Sequence, residues 1–174
     1  MSKVQPSDLE QFERSVNCDC HHCTAACRAM PGMLAPGDID RIAEYRGEEE
    51  SDDFIPNHFV ASEGAMVLTS QGNVCRIPTI VPKQKPNGEC VFLDEEKKCS
   101  IHPVSPFGCR CFRVCDDDDQ EAEEKSAACL NCISTNIDYI LTHDWLAANG
   151  HVAIPLGIRR KLMEVIRENP EEEV

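Results

Sequence analysis

Apolar residues first recur behind Ser7-Asp8-Leu9-Glu10, where Leu9, Phe12 and Val16 fall at i, i+3 and i+7. This spacing predicts a short amphipathic helix, with the Ser7 hydroxyl and Glu10 carboxylate capping its first-turn amides. After a turn-rich linker (Pro31, Gly32, Pro36, Gly37), Asp38 reads as the N-cap of a helix to about Arg46. Ile39, Ile42 and Ala43 are its apolar stripe, and Gly47 its stop signal. Glu48 to Asp53 is a polar loop. From Phe54 to Val81 the pattern shortens to strands and turns. Ala65–Thr69 and Val74–Ile77 predict two strands around Gln71-Gly72-Asn73, the second ended by Pro78. Leu130, Ile133, Ile137, Ile140, Leu141 and Trp145 then fit a 3.6-residue period, predicting one helix from about Glu121 to Ala147. Past the Asn149-Gly150 turn, Pro155 opens a last helix with Ile158, Leu162, Val165 and Ile166 as its stripe, ended by Asn169-Pro170.

Between these elements the apolar positions alternate with cysteines. Cys18, Cys20, Cys23 and Cys27 form a C-x-C-x2-C-x3-C loop, tight enough for neighbouring thiolates to converge on one centre. Cys90, Cys99, Cys109, Cys111 and Cys115 follow within 26 residues, spaced by Pro103 and Pro106. Pro86-Asn87-Gly88 opens this stretch, and a hairpin about Asp94–Lys98 is expected to bring Cys90 and Cys99 together. Cys129 and Cys132 lie at i, i+3, on one helix face. Cys75 stands alone, and a small buried hydrophobe is as good a reading as a ligand. His21 and His22 read mainly as loop residues between ligands.

Composition decides what the cysteines are for. Twelve of them in 174 residues fall just under the density of a disulfide scaffold, and no secretory signal opens the chain. In a cytoplasmic, reducing setting, clustered cysteines are metal ligands or redox centres more often than bridges. Thiolates are soft donors suited to zinc or iron–sulfur. The formal charge of −14 argues against nucleic acid or anionic membrane as a partner and suits docking on a basic protein. Its densest run, Asp116 to Asp119 with Glu121, Glu123 and Glu124, reads first as a solvated loop entering a helix. No stretch has the ~20 apolar residues of a membrane span, and no nucleotide fingerprint or Ser/His/Asp arrangement is present.

These residues resemble a known family. Cys90-Val91-Phe92-Leu93, Cys99-Ser100-Ile101-His102 and Pro106-Phe107-Gly108-Cys109-Arg110-Cys111-Phe112 are similar to the C-x-F-L, C-x-I-Y and R-P-x2-C-R-x-[FY]-P elements of the YkgJ-like cysteine-cluster proteins, a zinc- or iron-chelating domain. Met33 to Ile39 is similar to that family's apolar-then-Asp helix start. The chain departs from the pattern in lacking the N-terminal Cys doublet, in Ser105 for Arg, in Arg113 for Pro and in His102 for Tyr. The resemblance covers about residues 18–115 and implies Cys20, Cys23, Cys27, Cys90, Cys99 and Cys109 as ligands. A similar cluster in a lysine N-methylase of flagellin points to iron–sulfur, 4Fe-4S being the expected form and zinc the alternative.

Cys18, Cys111, Cys115, Cys129 and Cys132 lie outside the family pattern, and a second metal site is expected from them. Arg110, between two cysteines, reads either as a hydrogen-bond donor to sulfur beside the cofactor or as a surface residue. His102 reads either as a ligand or as a packed stand-in for Tyr. The expected fold is α+β, small and irregular, with short strands and cysteine-rich loops around metal and flanking helices. A metal-binding unit over residues 1–133 would carry a helical extension over 134–174. The expected function is a cytoplasmic iron–sulfur protein with a redox or structural role. A zinc-binding interaction protein, a cluster-dependent group-transfer enzyme and a thiol-redox protein are the alternatives.

Overall fold

The computed structural model describes residues 6–12, 31–49, 51–68, 72–112 and 119–154. Its elements in order are a 3-10 turn (Pro6–Phe12), α1 (Asp38–Arg46), α2 (Phe54–His58), β1 (Phe59–Leu68), β2 (Val74–Pro82), a 3-10 turn (His102–Val104), α3 (Phe107–Arg110), α4 (Asp119–Thr135) and α5 (Ile137–Ala148). The class is α+β and irregular, as expected. The two strands form one antiparallel sheet. A two-stranded ribbon is marginal alone, and here helices and loops cover it. The core runs from Leu34 and Ile42 through Phe54, Phe59, Ile80, Phe92 and Ile101 to Phe107, Ile133 and Leu146.

Several sequence expectations change. Pro6–Phe12 is a 3-10 turn rather than an α-helix, although Leu9 is buried as the stripe requires; Val16 lies outside the described residues. Asp38 does not cap α1. Gly37 holds the N-cap position with φ 90°, and Asp38 is the first helical residue with its carboxylate aimed elsewhere. Gly47 does end α1, its left-handed φ of 68° letting its amide reach Ala43 and Glu44. Phe54–His58 is helical, not extended.

Pro78 does not end the second strand, which continues to Pro82. The reason is a bulge: Ser62 pairs with Thr79 and Ala65 with Ile77, so Pro78 faces the irregularity. A residue without an amide proton is tolerated where the ladder asks for no donor. Gly64, φ 83°, makes the bulge; a Cβ there would lie 1.8 Å from the Ile77 carbonyl oxygen.

The long helix is two helices. Asn136 separates α4 from α5 and caps α5, its side-chain oxygen accepting from the Tyr139 amide at 2.8 Å. The break rotates the buried face. Leu130 and Ile133 of the predicted stripe are buried, but Ile137, Leu141 and Trp145 are exposed, and Tyr139 and Leu146 point inward instead. The helix predicted after Pro155 lies outside the described residues.

Tyr139 joins three parts of the molecule. Leu34 donates from its amide to the Ile80 carbonyl at 2.9 Å. The reciprocal bond is replaced by the Tyr139 hydroxyl, which accepts from the Ile80 amide at 2.7 Å and donates to the Leu34 carbonyl at 3.0 Å. Burial pushes this phenol well above its ordinary pKa. We expect Tyr139→Phe to leave both backbone groups unpaired and to cost about 2–3 kcal/mol. A urea midpoint unchanged from wild type would contradict this role.

Candidate metal centre

The site is built on a short stretch of backbone held by one carboxylate. Asp38 is buried, and its Oδ2 accepts from the amides of Ala35 at 2.8 Å and Phe107 at 2.7 Å. Its Oδ1 accepts from Arg41 Nη2 and Arg110 Nη1, each at 2.9 Å. Arg110 Nη1 also donates to the Ser105 carbonyl at 2.9 Å, and Arg41 Nη2 to the same oxygen at 3.1 Å. A buried carboxylate is tolerated only when paired and hydrogen-bonded, and these four donors meet that requirement. They tie the start of α1 to the loop entering α3, which carries Cys109, Arg110 and, at its end, Cys111.

Cys109 is half-buried and receives the Gly32 amide on its sulfur at 3.3 Å. The Gly108 amide donates to the Met33 carbonyl at 2.8 Å, so residues 32–33 run against α3. The approach is too close for side chains: a Cβ on Gly32 would lie 2.2 Å from the Gly108 carbonyl carbon. The chain leading from Cys27 therefore enters the described structure at Pro31 and meets Cys109 one residue later. The loop Cys18 to Cys27, with His21 and His22, lies outside the described residues, as does Cys115.

Cys90 and Cys99 are held by isolated bridges, not a regular hairpin. Gln84 pairs with Cys90 and Leu93 with Cys99, across a turn in which the Asp94 amide donates to the Lys98 carbonyl at 2.9 Å. His102 starts the following 3-10 turn, its amide donating to the Cys99 carbonyl at 3.2 Å.

Cys111, Cys129 and Cys132 are all buried. Burial first, then the negative charges of Asp38, Cys132 and Cys111, push the Cys129 thiol far above its ordinary range, while Arg110 acts the other way. Burial, with Asp8 behind it, also raises Cys132. Cys111, Cys132 and Asp38 thus each lie within electrostatic reach of Cys129. Cys75 sits exposed on β2, which removes the buried-hydrophobe reading of the two the sequence left open.

Among the described residues, no group of three or more His, Cys, Asp or Glu is arranged to hold a metal ion by itself. Two features missed by the sequence reading also border the site. Lys125 is buried in α4, paired to Glu121 at 2.8 Å and set over the Phe112 ring at 5.8 Å. Its place in an acid-rich stretch concealed it. A cavity of about 770 Å³ is lined by Gly32, Met33, Met66, Gly108, Phe112 and Leu130 among others.

A family model named for the motif CxxCxxCC, described as a zinc- or iron-chelating domain, matches residues 19–132. The chain belongs to this family. No curated protein and no solved structure matches the chain. The matched range takes in eleven of the twelve cysteines, from Cys20 to Cys132 and without Cys18, together with Asp38 and Arg110. Chelation of zinc or iron is thus what membership in the CxxCxxCC family assigns. The donors fit either metal, since reduced thiols are the soft ligands both accept. No helix among the described residues is long and apolar enough to cross a membrane.

Two outcomes follow. Gly32→Ala should drive α3 from the 31–34 segment, withdraw the amide from Cys109 and lower bound metal per chain, as read by metal analysis. In the metal-free protein, a thiol whose folded pKa is raised contributes stability below its unfolded pKa of about 8.5 and loses it above. Between pH 9 and 10, Cys129 should therefore cost about 1.4 kcal/mol per pH unit. The urea-midpoint slope with pH should be shallower in Cys129→Ala.

Proposed function

We propose that the chain is a cytoplasmic iron–sulfur protein whose clusters have a redox or structural role. Cys20, Cys23, Cys27, Cys90, Cys99 and Cys109 would supply one centre. Cys111, Cys129 and Cys132, with Cys18 and Cys115 as further donors, would supply a second. The observation that carries this reading is the Gly32 amide on the Cys109 sulfur at 3.3 Å. An amide aimed at sulfur stabilises thiolate charge and is one of the means by which a protein sets cluster properties. The same contact sets residues 32–33, downstream of the N-terminal cysteines, against Cys109 of the second cysteine group.

Burial supports the second centre. Three thiols at 1% exposure or less offer a dry, soft donor set beside a positive side chain, Arg110. Each centre draws on about four cysteines, and the chain has twelve. The acidic surface, net −14, suits a basic protein partner and not nucleic acid. Zinc is the second reading, favoured by the family description, which names both metals. Bound zinc would supply a closed structural tie, and a cluster would supply electron storage.

Anaerobic purification with iron, zinc and acid-labile sulfide analysis tests the assignment. Iron and sulfide in equal amounts, with brown colour, are expected. Stoichiometric zinc in a colourless protein would overturn the iron reading. Cys109→Ser should lower metal content, and strong chelators should lower the melting temperature of the wild type, because ligand convergence contributes folding free energy.

A further inference from the structure

We propose that Asp38 and Arg110 are an opposed charge pair that tunes the thiol centre, with Arg110 as its counter-cation and Asp38 as the positioning residue that aims Arg110. The inference rests on the reading that Cys111 and Cys129 ligate metal. Arg110 lies between Cys109 and Cys111 on α3, and its side chain is only 12% exposed. Guanidinium cannot lose its proton in a protein, so this is a permanent positive charge in a poorly solvated place. Its direction is set by two hydrogen bonds of 2.9 Å, to Asp38 Oδ1 and the Ser105 carbonyl, and by the Phe107 ring at 5.6 Å.

Metal-bound thiolates bring negative charge into the same region, and a buried charge needs a partner. Arg110 answers that need directly. Asp38, with a side chain 3% exposed, acts on the thiols with the opposite sign. It is itself shared between Arg110 and Arg41. From the sequence, Arg110 reads either as a donor to sulfur or as a surface residue; in the structure it is mostly buried, and Asp38 and the Ser105 carbonyl fix where its charge lies.

The two residues therefore make a prediction of sign that a merely structural brace does not. One-electron reduction of a cluster adds negative charge, which a nearby cation favours and a nearby anion opposes. Arg110→Gln should shift the midpoint potential of the bound cluster to more negative values, and Asp38→Asn to more positive values. Arg110→Lys, which keeps the cation, should return the potential toward wild type even where stability is reduced. Arg41→Gln alters a partly exposed residue and leaves Arg110 in place; it should shift the potential negative by less than Arg110→Gln, by unmasking Asp38. It keeps the test available if the more buried variants do not fold.

Potentiometric titration of anaerobically purified variants, with iron and sulfide measured on each sample, reads all four. Shifts of Arg110→Gln and Asp38→Asn in the same direction, or unchanged potentials in variants that retain iron, would overturn the proposal. Should only Arg41→Gln fold, an unchanged or positive shift would overturn it too. Wild-type protein without iron and sulfide would instead overturn the iron assignment. The pair is then read by Zn²⁺ affinity against a competing chelator. There Arg110→Gln should bind about tenfold more weakly and Asp38→Asn more tightly, and equal weakening in both would overturn the tuning role.

Discussion

The structure depends on the Asp38 carboxylate. Four hydrogen bonds converge on it from two backbone amides and two arginines. Each donor belongs to a different part of the cysteine-bearing region: the turn before α1, α1 itself, and both the start and end of α3. An unpaired charge at this depth would cost several kcal/mol. The arrangement is therefore all-or-none, with the loop from Val104 to Arg110 seated on Asp38 or the carboxylate stranded. Cys109 and Cys111 inherit their positions from that seating.

Around this brace the molecule is held by backbone contacts more than by a large core. The sheet has two strands, and aromatic residues are 5% of the chain. Glycines allow segments to touch where side chains would not fit, as with Gly32 against Gly108. The Tyr139 hydroxyl stands in for a bond between Leu34 and Ile80. The result is that residues 31–34 are clamped on one side by β2 and on the other by α3. Their position decides where the amide that reaches Cys109 lies.

The thiols divide by environment. Cys109 is half-buried and receives an amide donor. Cys111, Cys129 and Cys132 are sealed, and burial holds Cys129 protonated until something displaces the proton. On the proposed reading a bound metal ion would do so, and its binding free energy would then be part of the folding free energy. Membership in the zinc- or iron-chelating CxxCxxCC family agrees with that chemistry.

The sequence by itself determined the donor types and much of the local punctuation. Cysteine spacing, the Gly47 stop and the strand-to-turn rhythm near Gly72 are local properties, set by bond geometry and side-chain chemistry. The apolar period after Glu121 was also legible, but a period cannot show a break that preserves it. Asn136 interrupts the helix by capping the next one, and only packing reveals that Tyr139, not Ile137, faces inward. Asp38 shows the same limit more sharply. A helix-start aspartate looks like a cap because its nearest amides are its own, yet its carboxylate meets an amide 69 residues away. Tertiary structure alone decided that partner, because the energy of a buried charge depends on every donor around it and not on its neighbours in the chain.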